Sequence, residues 1–127
     1  SDFHKPKSLV RIGNPVTGVY SKSPAPEDIL DAIKNGKAFV SDSVDGVRLN
    51  LKYGDISMGD TAEYNPDIPL VVQSNAGALT LVTDKGERKI NLADGSAEIK
   101  LEKVKFAYIK ALKGKRITAV SNPVYFN

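Results

Sequence analysis

The chain has no cysteine and no tryptophan, one methionine and one histidine, His4. Without cysteine there are no disulfides, no thiolate metal sites and no cysteine nucleophile. With a single histidine, no site that needs two imidazoles from this chain can form, which excludes a self-contained histidine-rich zinc enzyme. A Ser-His-Asp set has only His4 to draw on, at the very start of the chain. Long apolar runs are also missing. The longest stretch without a charged residue, Ile68 to Thr83, contains Gln73, Ser74, Asn75 and Gly77. It is shorter than the ~20 apolar residues a membrane helix requires, so no membrane partner is expected.

What is present is ordinary globular material. The chain is 127 residues long, 41% hydrophobic and 26% charged, which suits one domain's worth of folded protein rather than a disordered segment. A chain of this size buries roughly 65% of its unfolded surface, enough for a core without covalent staples. The net charge of +3 is mildly basic and too small to imply a nucleic-acid partner. The chain contains no internal repeat and no low-complexity tract.

Residues 1–25 read as an irregular lead-in punctuated by Pro6, Gly13, Pro15, Gly18 and Pro24, with Leu9, Val10 and Ile12 as one short strand. A helix is predicted from Pro26 to Asn35. Proline suits the first helical turn, where its missing N–H would be unpaired anyway. Glu27 and Asp28 favour the positive end of the helix dipole, and Lys34 and Lys37 the negative end. Ile29, Leu30, Ala32 and Ile33 form the apolar stripe, and Gly36 is placed to end the helix.

Beyond Gly36 the period changes to two. Val47, Leu49, Leu51 and Tyr53 alternate with Arg48, Asn50 and Lys52, as in a half-buried strand. Gly54 to Pro69 reads as a polar loop. Further strands are predicted at 70–73, 79–83, 88–92, 97–101, 106–112 and 117–121, with hairpin-type turns at Asp84-Lys85-Gly86-Glu87 and Asp94-Gly95. Strands recurring about every ten residues, with turn signals between them, point to a mainly-β, immunoglobulin-like antiparallel sandwich preceded by the lead-in and one α-helix.

Three clusters carry chemistry. Asp2 and His4 are two residues apart, so in extended chain a carboxylate and an imidazole face the same way and can meet one metal. Structural and catalytic zinc sites take about three or four protein ligands, so on residues alone the pair reads as a frayed terminus. Asp55, Asp60, Glu63 and Asp67 crowd the polar loop, but their spacing does not follow the D-x-[DN]-x-[DN]-G pattern of a calcium loop, and a solvated acidic loop is the default. Residues 97–116 hold seven Lys or Arg against two Glu, with Phe106 and Tyr108 among them. Phosphate or nucleic-acid binding is the sharp reading there, and the wet face of a charged strand the plain one.

The order of motifs says more than any one of them. Ser1-Asp2-Phe3-His4 is followed by Ile12-Gly13-Asn14-Pro15-Val16-Thr17-Gly18. The Pro26–Lys37 helix leads into Ala38-Phe39-Val40-Ser41-Asp42. Gly59-Asp60 comes next, and Ser121-Asn122-Pro123-Val124-Tyr125 closes the series. This series resembles the C-terminal part of PHP-family (polymerase and histidinol phosphatase) metallohydrolases, most nearly the carbaryl hydrolase-like subgroup. In that family an S-D-x-H segment is the last metal-binding motif of the catalytic barrel. The resemblance implies that Asp2 and His4 are metal ligands in a longer parent, for divalent ions such as zinc, manganese or iron. It implies that the remaining ligands, including an H-x-H motif, lie upstream, so that this chain by itself is not a complete enzyme. It divides the chain into residues 1–37, the end of the catalytic domain, and residues 38–127, an accessory sandwich. The expected partner is the missing N-terminal barrel. If the helix packs on that barrel, Ile29 and Ile33 are left uncovered in this chain and offer a face for self-association. The rival expectation is a free-standing immunoglobulin-like binding module.

Overall fold

A computed structural model describes residues 8–12, 16–41 and 46–127. Asp2 and His4 lie outside the described residues. The fold is mainly β with one helix, as the sequence patterning predicts, and its strands form two sheets.

The smaller sheet contains β4 (Leu49–Tyr53), β5 (Ile56–Ser57), β7 (Leu70–Ser74) and β10 (Ser96–Ile99), in the order β10-β7-β4-β5. The larger contains β1 (Ser8–Ile12), β2 (Val16–Ser21), β3 (Ala38–Ser41), β6 (Thr61–Ala62), β8 (Ala78–Thr83), β9 (Gly86–Asn91), β11 (Phe106–Lys113), β12 (Arg116–Ser121) and β13 (Val124–Phe126). Its path runs β1-β2-β3-β12-β11, with β8 and then β9 on the far side of β11. Thus β4, β7 and β10 share one sheet while β8, β9, β11 and β12 share the other. This is the immunoglobulin-like arrangement, with β9 in the place of a C′ strand. After Asn122-Pro123, β13 resumes the line of β12 beside β11: Ala107 pairs with Val124 on one side and Thr83 on the other. β6 pairs with β13 in the one parallel ladder among the described strands.

The alternation seen in the sequence decides which side chains face inward. Leu49, Leu51, Tyr53, Leu70 and Val72 from the smaller sheet meet Leu79, Leu81, Ala107, Ile109 and Ala119 from the larger. Tyr53 packs edge-on against Phe126 with ring centroids 4.9 Å apart. Its buried hydroxyl is satisfied, donating to the Asn65 carbonyl at 2.7 Å and accepting from the Asn65 N–H at 2.9 Å. A buried phenol needs such partners, because an unpaired one would lose its hydration without compensation.

Helix α1 (Pro26–Lys34) matches the predicted span. It lies on the outer face of the larger sheet, where Ala32 and Ile29 cover Val19 and Ala38, while the neighbouring residues Tyr20 and Phe39 point into the main core.

The structure adds order to the stretch read as irregular. β1 and β2 pair along their length, and β2 joins β3. Gly18, a residue that usually interrupts a strand, lies inside β2. It is a packing residue: it pairs with Phe39, and a Cβ at position 18 would lie 2.4 Å from the Phe39 ring. β3 also pairs with β12, so the larger sheet runs on across residues 37 and 38. Among the described residues, no helix is long and apolar enough to cross a membrane.

Candidate functional site

Two places on the sandwich concentrate specific chemistry. The first is a joint between α1 and the sandwich. The helix ends in a Schellman turn: Gly36 adopts φ +71°, its N–H reaches the Ile33 carbonyl at 3.1 Å, and the Lys37 N–H reaches the Ala32 carbonyl at 2.9 Å. Gly59, itself at φ +91°, sits against this turn so closely that a Cβ on it would fall 2.1 Å from the Asn35 carbonyl oxygen. The Gly59 N–H donates to the Pro123 carbonyl at 2.6 Å, and the Asn122 N–H to the Ala38 carbonyl at 3.2 Å. Lys37 extends over the joint, its ammonium donating to the Met58 carbonyl at 3.3 Å and pairing with Asp60. Segments far apart in sequence, Asn35-Gly36-Lys37, Gly59-Asp60 and Asn122-Pro123, therefore meet in one place.

The same geometry settles what the acidic loop does locally. Asp60 is taken by Lys37. Among the described residues, no group of three or more metal-ligating side chains is assembled, and Asp55, Glu63 and Asp67 are not drawn to Asp60 as a cage. The loop also carries two short strands, β5 and β6, each of only two residues.

On the helix, Ile29 is half-buried in the Val19–Ala38 cluster, whereas Leu30 and Ile33 are 61% and 45% exposed. Val40 on β3, on the same outer face of the sheet, is exposed as well.

The second place is the open edge of the sandwich between β9 and the segment joining β10 to β11. A cavity of about 270 Å³ opens there. Its floor is apolar, made by the buried residues Leu81, Leu101 and Val104. Its walls carry the exposed residues Lys85, Arg88 and Lys100, with Glu87 and Glu102 beside them. Arg88 is placed by register: it pairs with Leu81, a core residue, and so stands on the inward face of an edge strand where the pattern calls for an apolar side chain. Among the described residues, no hydrogen bond or ion pair engages the Lys85, Arg88 or Lys100 side chains. Glu87, on the other face of β9, is held 3.1 Å from Lys110.

The basic stretch is thereby divided. Lys110 pairs outward with Glu87, Lys113 and Arg116 lie at the β11–β12 hairpin, and Lys100 belongs to the cleft. Sequence reasoning marked the 97–116 run, with its basic strand near Lys110, but did not distinguish Lys100 within it and missed Arg88 and Lys85. The available signal was Arg88 two residues before Ile90, a charge at an inward position of a strand.

No protein-family model, curated protein or solved structure matches the chain.

Proposed function

We propose that this chain is the C-terminal accessory region of a metal-dependent hydrolase of the PHP type, acting on a phosphoester-like substrate. In this reading residues 1–37 are the tail of the catalytic domain, and residues 38–127 are an accessory sandwich. The β2–β3 ladder would then sew that tail into the sandwich sheet. The observation that carries the proposal is the joint. The segments that convey the resemblance, Asn35-Gly36-Lys37, Gly59-Asp60 and Asn122-Pro123, depend on one another through direct contacts. Motifs that meet at one joint belong to one architecture, which supports reading their order as a family pattern rather than as scattered coincidences. The exposed Leu30 and Ile33 then supply an apolar face suited to a neighbouring domain.

Asp2 would offer a carboxylate oxygen and His4 a neutral imidazole nitrogen to a divalent ion. A carboxylate and an imidazole fall short of the about three or four protein ligands of a catalytic zinc site, so no catalytic step is derived for this chain by itself. The bound ions of a complete site would supply an activated water and charge neutralisation.

The test is the reading frame upstream of the Ser1 codon, followed by assay of the encoded protein. An upstream H-x-H and metal-dependent phosphoesterase activity abolished by Asp2→Ala and His4→Ala support the proposal. An unrelated upstream sequence, or activity indifferent to both substitutions, overturns it. The second reading, an immunoglobulin-like binding module, draws on the lined cleft at the β9 edge.

A further inference from the structure

We propose that the cleft between β9 and the β10–β11 segment binds a small organic anion carrying an apolar group, of the phosphate-monoester type. This does not rest on the hydrolase reading. Three observations converge on it. The floor of Leu81, Leu101 and Val104 is apolar and offers a surface for an apolar group of the ligand to cover. The rim sets Lys85, Arg88 and Lys100 against Glu102 and Glu87, and with Glu87 offset by Lys110 the surplus is two positive charges. A phosphate monoester carries roughly −1.5 to −2 at pH 7, which matches that surplus. Finally, Arg88 is an exposed guanidinium on the inward-facing register of β9, with its donors unengaged among the described residues. Its planar fork suits two phosphate oxygens at once, as an ammonium does not. The cavity of about 270 Å³ is just below the usual span of about 300–1,000 Å³ for small-molecule sites, so a single ring or short chain bearing one phosphate fits and a dinucleotide does not.

A structural role also accounts for an inward charge on an edge strand, because it blocks edge-to-edge pairing with another chain. The two roles make different demands. Either sign of charge protects an edge, whereas only a positive charge holds an anion.

The experiment titrates isotopically labelled protein with phenyl phosphate, inorganic phosphate and benzyl alcohol, following backbone amide shifts. Saturable shifts confined to residues 85–88 and 100–104 are expected for phenyl phosphate. Inorganic phosphate should bind about tenfold more weakly for want of contact with the floor, and benzyl alcohol should bind more weakly still. Arg88→Glu and Lys100→Glu should each weaken phenyl phosphate binding at least about tenfold while the melting temperature and the state of association stay those of the parent. Shifts spread evenly over Lys113, Lys115 and the other surface lysines would overturn the proposal. So would inorganic phosphate binding as tightly as phenyl phosphate, or Arg88→Glu binding undiminished.

Discussion

The two flanks of the larger sheet solve opposite problems. At one, α1 is fastened to the sandwich by a pair of glycines in contact, a Schellman turn and the Lys37–Asp60 pair. At the other, β9 is an edge whose backbone pairs only with β8, and whose cations stand without partners among the described residues. The contrast separates residues chosen for backbone demands from residues chosen for charge. At the joint, side-chain volume is the enemy, and the polar groups are engaged by one another. At the cleft, space and charge are both left over. An architectural role fits the first place and a binding role fits the second.

Substitutions at the joint should therefore cost stability, and substitutions at the cleft should not. The largest loss is expected for Gly59→Ala. Its Cβ would collide with the Asn35 carbonyl in a backbone conformation that alanine already disfavours, so about 3 kcal/mol or more should be lost in chemical denaturation. A melting curve like that of the parent would refute the close approach of Gly59 to the helix end.

Gly18→Ala comes next. The added methyl meets the Phe39 ring, and about 1–3 kcal/mol should go with it. Pairing Gly18→Ala with Phe39→Leu tests the cause. If the collision is responsible, the double variant loses less than the two single losses added together.

Lys37→Met is expected to cost about 1 kcal/mol, because Asp60 is 43% exposed and water screens the pair. Thermal melts in low and high salt should show the difference shrinking as salt rises.

The smallest stability effect is expected for Leu30→Glu combined with Ile33→Glu, within about 0.5 kcal/mol, since both side chains already meet water. Sedimentation of the parent should reveal some self-association that this double variant removes. A parent that stays monomeric at high concentration would show that the helix face does not bring copies of the chain together.

Local signals were the most legible. The Asp94-Gly95 turn was visible as a dipeptide, and both residues adopt positive φ, 54° and 77°, as a tight type I′ hairpin turn demands. The helix was visible in Pro26, its acidic first turn and Gly36, because each of these acts within one turn of chain. The long strands were visible through their period of two. β2 was not, because Gly18 and the prolines before it carry the same letters as a loop. Only Phe39, distant in sequence, gives Gly18 its reason. β5 and β6 are too short for any pattern and exist through their partners β4 and β13. Of the acidic loop, the sequence shows the carboxylates but not that Lys37 engages Asp60.

By itself, then, the sequence determined what depends on neighbours along the chain: a mainly-β sandwich with one helix, where that helix ends, where the tight turns fall, and the exclusion of cysteine and multi-histidine chemistry. Tertiary structure decided what depends on partners tens of residues away. It joined the glycine at 59 to the helix end, set Arg88 opposite Leu81 at an edge, and opened a cleft floored by Leu101 and Val104. The physical reason is range. Propensity and turn chemistry act over a few residues, whereas steric contact and the meeting of charges are set only once the sheets have closed on each other.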